Sequence, residues 1–253
     1  MNSSLPSKPR VLVTGSTRGI GRAIAEEFVQ AGYVVAVNSR SPSDTQTMAN
    51  RLSSAVAIPG DVSTLDGAAD VVERAQSSLG GLDALVCNVG SGKSGDSSSR
   101  ASQEWLTVFD LNFYSAVFCV EAALPALSAT NGSIVCISSI CGIEAIPNAP
   151  LKYSVAKAAL NAYVRLRARD LGSHGVRINA VIPGNILFDG SVWSERLAHD
   201  QIAVCRLLED QVPVGRFGTP AEIARAVLYL ARADSAFTIG SLLVVDGGQT
   251  RIL

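Results

Sequence analysis

Val11-Leu12-Val13-Thr14-Gly15-Ser16-Thr17-Arg18-Gly19-Ile20-Gly21 decides how the rest of the chain folds. Three consecutive apolar residues read as a strand buried on both faces, since a half-exposed strand would alternate apolar with polar. Glycines follow at Gly-x-x-x-Gly-x-Gly spacing, and a helical stretch from Ile20 to Ala31 opens directly behind them. Strand, glycine turn and helix in that order are the context in which a glycine cluster carries meaning. Glycine lets the backbone turn tightly and come close to a pyrophosphate, which then rests on the helix N-terminus.

Working outward, the same kind of apolar run recurs at Val34–Val37, Ala84–Cys87, Ser133–Ile137, Ile178–Ile182 and Leu242–Val245, with a weaker one at Ala55–Ile58. Between them lie helical stretches at Asp44–Ser53, Ala68–Leu79, Ser102–Leu127, Lys152–Leu171 and Ala221–Ala231. Gly32, Gly80 and Gly172 are placed to close three helices. Strands buried on both faces and alternating with helices predict a doubly wound (Rossmann) α/β sheet of about seven parallel strands. Ser91–Arg100 and Phe188–Asp210 read as irregular loops, and Met1–Pro9 as a disordered tail ahead of a single domain over 10–253.

The bulk numbers exclude several functions. With 253 residues and 47% hydrophobic content the chain can bury a full core. A formal net charge of -1 offers no field for nucleic acid or an anionic membrane surface. No uninterrupted apolar run approaches ~18 residues, so no membrane span is predicted. The N-terminus lacks the apolar core of a signal peptide. Five cysteines, Cys87, Cys119, Cys136, Cys141 and Cys205, form no CxxC and read as free thiols, which suits a reducing cytoplasm. His174 and His199 supply too little for a His-rich metal site or a His-centred triad.

The chemistry gathers at Tyr153-Ser154-Val155-Ala156-Lys157. Residues four apart on a helix share a face, so phenol and ammonium are expected side by side. A free tyrosine titrates near pKa ~10. A neighbouring cation favours the phenolate and makes the pair a tuned acid/base. The bland alternative is an amphipathic helix with a surface lysine.

Taken together, Thr14-Gly-x-x-x-Gly-Ile-Gly21 and Tyr153-x-x-x-Lys157 resemble the short-chain dehydrogenase/reductases, over nearly the whole chain. Asp61-Val62, Cys87-Asn88-Val89-Gly90, Asn112, Ser139-Ile140-Cys141-Gly142, Pro183-Gly184 and Val245-Asp246-Gly247-Gly248 are similar to further motifs of that family in the right order. The resemblance implies hydride transfer between a nicotinamide and a carbonyl carbon. It assigns Ser139, Tyr153, Lys157 and Asn112 as catalytic: an oxyanion donor, the proton donor, its tuning partner and the holder of a relay water. Ser138 is the rival of Ser139, and Gly142 sets the register in favour of Ser139. The nucleotide contacts implied are Gly15, Ser16, Thr17, Arg18, Gly19, Ile20 and Gly21, then Ser39, Arg40, Asp61, Val62, Asn88, Val89 and Gly90, with Tyr153, Lys157, Pro183, Gly184 and Ile186. No metal is implied.

The second strand ends Asn38-Ser39-Arg40. An acid at this strand end would select NAD, but Ser39 is neutral, and Arg40 with Arg18 can clasp a 2′-phosphate; the expectation is NADP (NADPH). Three departures concern the substrate. Ser139 stands 14 residues before Tyr153, one more than usual in the family. Phe188 takes the place of a threonine that often helps hold the nicotinamide carboxamide. The segment 188–212, the substrate lid of relatives, is longer than usual. The motif set is most similar to 3-oxoacyl-(acyl-carrier-protein) reductases, with Arg165 and Arg169 as a conceivable basic patch for an acidic carrier. The second choice is a sugar, polyol or other polar ketone, suggested by the lid and by Glu144. A nucleotide-binding regulator without turnover is the remaining class. The apolar helix Ser102–Leu127 leads to an expected homotetramer or homodimer.

Overall fold

In the computed structural model, residues 8–92 and 101–251 are described. The expected N-terminal tail and most of the Ser91–Arg100 loop lie outside them. Strands β1 (Arg10–Val13), β2 (Val34–Val37), β3 (Ala55–Ala57), β4 (Ala84–Cys87), β5 (Ser133–Ile137), β6 (Arg177–Pro183) and β7 (Leu242–Val245) form one sheet in the order β3-β2-β1-β4-β5-β6-β7. Every pairing is parallel. Strand order reverses between β1 and β4. The carboxyl ends there open the crevice in which doubly wound sheets bind ligands.

Successive strand side chains point to opposite faces, and both faces are covered. Leu12, Ala36, Leu85 and Ile134 enter one core against α3 (Leu65–Leu79), α5 (Ser115–Thr130) and α6 (Leu151–Ser173). Val11, Val13, Val35, Val86 and Val135 enter the other, against α1 (Gly19–Gln30), α2 (Pro42–Arg51) and α9 (Pro220–Ala231). This is why no strand alternates in sequence. Each fully buried Leu, Ile or Phe, such as Phe28, Leu85 and Ile134, contributes roughly 1.5–3 kcal/mol.

The helix ends are chemically specified. Thr64 caps α3, and α9 begins with a capping box between Thr219 and Glu222 with Pro220 at its first position. Gly80 closes α3 at φ 73 and Gly32 follows α1 at φ 88, as expected. Gly172 does not cap. It lies inside α6, where a Cβ would stand 2.8 Å from Ile239 Cδ1, and the chain turns at Gly175 instead, with φ 77. Ile239 Cδ1 is the free end of a flexible side chain, so this contact alone does not require glycine at 172.

Two larger differences concern the site. The expected helix Ser102–Leu127 is α4 (Ala101–Phe109) and α5 joined by a π-helical turn, Asp110–Tyr114. The rod Ser102–Thr130 has a mean hydropathy of 1.4 and is long and apolar enough to cross a membrane by length and composition, although no single apolar run in it signals that. Cys119, Val120, Ala123 and Leu127 are wholly buried in the core, which explains the apolar composition. Secondly, Phe188–Asp210 is not irregular. It holds α7 (Val192–His199) and α8 (Gln201–Gln211), capped by Ser191 and Asp200. Those two cap residues were the overlooked signal.

Candidate active site

The glycine loop leaves β1 at the switch point and is pinned from behind. Asn38 accepts the Ser16 N–H on its carbonyl at 2.8 Å, and its own N–H donates to Ser16 Oγ at 2.9 Å. The Asn88 amide donates to the carbonyls of Thr14 and Gly15, both at 3.0 Å. Gly15 and Gly19 adopt φ 61 and 54, in the left-handed region. A Cβ on Gly21 would collide with the Gly15 carbonyl and the Asn88 amide. The loop thus curls over the start of α1. That helix has no side-chain cap and no acidic residue in its first turn, leaving N–H donors and the positive dipole end for an anion. The cradle fits a nucleotide diphosphate.

Not every expected contact uses its side chain. Ser16 is fully buried, with both its hydroxyl and its N–H engaged by Asn38, so it braces the loop and offers a nucleotide no free donor. Asn88 and Val89 act on the loop: Asn88 braces it, and Val89 Cγ2 would lie 3.1 Å from a Cβ on Gly15. Val62 points into the core. Asp61 accepts from Ser63 N at 3.0 Å and Ser63 Oγ at 2.7 Å; burial opposes ionisation, but these bonds and the Arg40 charge leave its pKa lowered. The Ser39 hydroxyl is closed into a turn with Ser41 and Thr45. Arg18 and Arg40 are exposed, and neither takes part in an ion pair among the described residues.

A cavity of about 350 Å³ opens beside the loop, lined among others by Gly15, Arg18, Ile20, Gly21, Asn88, Gly90, Ser139, Tyr153, Lys157, Pro183, Gly184 and Ile186. Ser39, Arg40, Asp61 and Val62 lie outside it, at the ends of β2 and β3. Ser139 follows β5 and is 8% exposed; its Oγ accepts from Cys141 N at 3.2 Å, capping the short 3-10 turn Ile140–Gly142. Ser139 and Tyr153 line the same cavity, and the Ser139 hydroxyl is among the influences that lower the Tyr153 pKa against the larger effect of burial. Ser138 borders the same cavity, but its hydroxyl donates to the Lys157 carbonyl at 3.3 Å. Ser139, whose Oγ only accepts, keeps its hydroxyl proton free.

Lys157 is 3% exposed, donates to the Ile137 carbonyl at 2.9 Å and lies 5.9 Å from the centre of the Tyr153 ring. Asn112 is 2% exposed. It donates to the Val108 carbonyl at 3.0 Å and accepts from Ser91 N at 2.9 Å. A Cβ on Gly90 would stand 2.9 Å from Asn112 Oδ1 and 3.0 Å from Lys157 Nζ, so both polar groups converge over that glycine. The π-turn aims Asn112 there, as such insertions often do at functional sites. Electrostatics differ from the simple pair: burial pushes Tyr153 up to about 12 and Lys157 down to about 8. Desolvation dominates both, because each charge would sit in a region poor in water, and neither group is among the causes of the other's shift.

Residues that sequence reasoning missed line the far side of the cavity: Asn148, Asn185, Trp193, Arg196, Gln211 and Gln249. No short motif marks them. Phe188 lies with its ring over Gly19, where a Cβ would approach it to 2.5 Å. Glu144 does not line the cavity. Its carboxylate accepts the Arg251 N–H at 2.8 Å, so it holds the chain end and gives no support to a sugar site.

The family described as enoyl-(acyl carrier protein) reductase matches residues 15–250. The chain is 34% identical over 241 residues to L-fucose dehydrogenase of Mus musculus, covering 94% of this chain and 87% of that one. It is 33% identical over 256 residues to 3-oxoacyl-[acyl-carrier-protein] reductase of Chlamydia muridarum, covering 98% and 100%. Among solved structures, L-sorbose reductase of Gluconobacter frateurii, complexed with NADPH and L-sorbose, superposes with a TM-score of 0.90 at 29% identity over 98% of both chains. A short-chain type dehydrogenase/reductase of Mycobacterium marinum superposes with 0.85 at 31% identity over 97% of both. With such likeness running from the glycine loop to the last strand, the chain belongs to the short-chain dehydrogenase/reductase family and is an oxidoreductase of alcohol and ketone groups.

Proposed function

We propose that this protein interconverts a ketone and a secondary alcohol with NADP(H), using Ser139, Tyr153, Lys157 and Asn112. The observation that carries the reading is the convergence of the Ser139 and Tyr153 hydroxyls on one cavity beside the diphosphate cradle. A bound nicotinamide would supply or accept the hydride. Two hydroxyl donors at one point suit a carbonyl oxygen, where negative charge develops. Tyr153 gives its proton to that oxygen, or takes it in oxidation. Its raised pKa keeps it protonated at neutral pH, ready to donate. Lys157 and Asn112 lie behind it on the path by which a proton would be restored.

NADP is supported by the missing acid at Ser39 and by two exposed guanidiniums, Arg18 and Arg40, at the loop and strand end. Two substrate classes remain. The 3-oxoacyl thioester follows from the motif likeness. A polar ketone is favoured by the cavity itself, whose lining holds the amides of Asn148, Asn185, Gln211 and Gln249 beside the Arg196 guanidinium. Arg165 and Arg169 are exposed on α6 and outside the cavity, so they bear only on carrier docking. A homotetramer or dimer is supported by exposed Leu106, Leu151 and Leu166 on α4 and α6, and by Phe237, Ile239 and Val244 around β7. A reducing, cytoplasmic setting suits the free core thiols Cys87, Cys119 and Cys136. The test is NADPH- and NADH-dependent reduction of acetoacetyl thioesters beside keto-sugars and cyclic ketones. Tight NADPH binding with no ketone reduced would favour the regulator reading instead.

A further inference from the structure

The chain after β7 is an unusually constrained presenter of one side chain. Asp246 Oδ1 accepts from Gly248 N at 2.9 Å, and its Oδ2 accepts from both the N–H and the hydroxyl of Thr250 at 2.7 Å. Glu144 holds the next residue through the Arg251 N–H at 2.8 Å. Gly247 and Gly248, at φ 67 and 83, wrap the turn against Val214 and Pro213. Between these anchors stands Gln249, 7% exposed and lining the cavity that holds Ser139 and Tyr153. Its Oε1 is buried without a hydrogen-bond partner. Asn185 lines the same cavity, and its Nδ2 is also buried without a partner. The two are close along the wall: a Cβ on Gly184 would lie 3.1 Å from Gln249 Oε1, and Asn185 is the next residue.

Buried polar atoms are almost always satisfied, so two open amides in one active cavity mark a place where a ligand completes the bonding. One atom accepts and the other donates. Exchanging O and N in both side chains keeps one donor and one acceptor, and a hydroxyl, which donates once and accepts twice, can still bridge two open donors if only the Gln249 amide is exchanged. The terminal torsion of an amide side chain is soft, so each group can turn toward a ligand without leaving its rotamer. A hydroxyl is the smallest group that donates and accepts at once, and a single hydroxyl can satisfy both amides. The methylenes of an acyl chain would leave both unsatisfied. The described lining holds no carboxylate and so offers nothing to a cationic partner.

We propose that Gln249, with Asn185, reads a hydroxyl group on the substrate and selects a hydroxylated ketone over an unsubstituted one. The proposal rests on the ketone-reductase reading above. Sites built to hydrogen-bond a hydroxyl discriminate strongly against analogues without it, because their own polar groups are then stranded.

The test compares kcat/KM for 2-hydroxycyclohexanone and cyclohexanone in the wild type and in Gln249→Met, which keeps length and removes the amide. The wild type is expected to prefer the hydroxylated ketone by at least tenfold, and Gln249→Met to shrink that ratio at least tenfold, chiefly through KM. Asn185→Ala is expected to shrink it in the same direction and serves if Gln249→Met does not fold. A second arm needs no turnover: calorimetric titration of trans-1,2-cyclohexanediol and cyclohexanol into NADPH-saturated protein. The diol is expected to bind at least tenfold more tightly in the wild type only. A wild type that does not prefer the hydroxylated partner, or ratios unchanged in both variants, would overturn the proposal. So would weakened NADPH binding in Gln249→Met with an unchanged ratio, which would assign the amides to the nicotinamide carboxamide. If no ketone is reduced at all, the reductase reading fails, while the titration still decides whether Gln249 reads a hydroxyl.

Discussion

The glycine loop and the lid meet where the Phe188 ring covers Gly19, yet they are built on opposite principles. The loop offers a ligand its backbone. Its small polar side chains are turned inward, Ser16 to Asn38 and Thr14 to the Asn88 N–H at 3.0 Å, with Arg18 the exposed exception. The lid offers side chains, among them Trp193 and Arg196, with the guanidinium 5.0 Å from the indole centre. No residue of α7 is buried, and only Val204 and Leu208 of α8 are. A backbone reader is constrained by sterics at each glycine, so its sequence is recognisable. A side-chain reader needs only a helical frame, and its sequence is free to follow the substrate.

This contrast can be broken at the chemistry between the two regions. Tyr153→Phe removes only a hydroxyl from a site the loop does not depend on. Turnover is expected to fall by roughly 10³ or more, within the range general acids contribute, with the NADPH dissociation constant within twofold of the wild type by fluorescence titration. A matching loss of NADPH affinity would mean that loop and proton donor are not separable. Ser139→Ala is expected to lower kcat by roughly 10², and Ser138→Ala by far less, since Ser138 is engaged with the Lys157 carbonyl. The reverse order would show that the register after β5 is misread.

Lys157 sharpens the comparison through stability. Its folded pKa, near 8, lies below the unfolded value, so between these values the unfolded chain holds the extra proton. Folding stability from this group therefore rises as pH increases from about 8 toward 10.5, and is lost as pH falls back through 8. Lys157→Met is expected to be more stable than the wild type at pH 7, by on the order of 2 kcal/mol after allowing for the lost bond to Ile137. That advantage should fade by pH 10. Thermal unfolding of both proteins across pH 7–10 measures it, and a constant difference would count against a buried, depressed lysine. Tyr153, raised to about 12, works oppositely and only above pH 10. The smallest expected effect is at the adenosine end. Arg40→Ala and Ser39→Asp should each reduce the NADPH-over-NADH preference in kcat/KM by about tenfold, or ~1.4 kcal/mol. Indifference to both would remove the side-chain contribution from the cofactor half.

Much was legible in the residues alone. Seven apolar runs became seven parallel strands because burial on both faces leaves a continuous hydrophobic signature. The glycine cluster announced its own position, since no other residue can turn there. Ser139 is preferred to Ser138 from the Gly142 register, and in the structure the Ser138 hydroxyl is engaged with the Lys157 carbonyl. Gly172 misleads because a glycine near a helix end reads as a cap, while α6 runs on to Ser173 and the left-handed turn falls at Gly175. The helices of the lid were missed although Ser191 and Asp200 signal them, because a polar composition was read as disorder of structure.

By itself, then, the sequence determined the sheet, the cradle and the order of the reactive residues, all of which depend on local backbone geometry and short periodicities. Only tertiary structure decided that Asn112 reaches Gly90 through a π-turn, that Glu144 ties down the chain end, and that Gln249 and Asn185 line one cavity. Those juxtapositions join residues up to 107 positions apart. No local rule encodes them, because they follow from how the finished layers pack around the crevice.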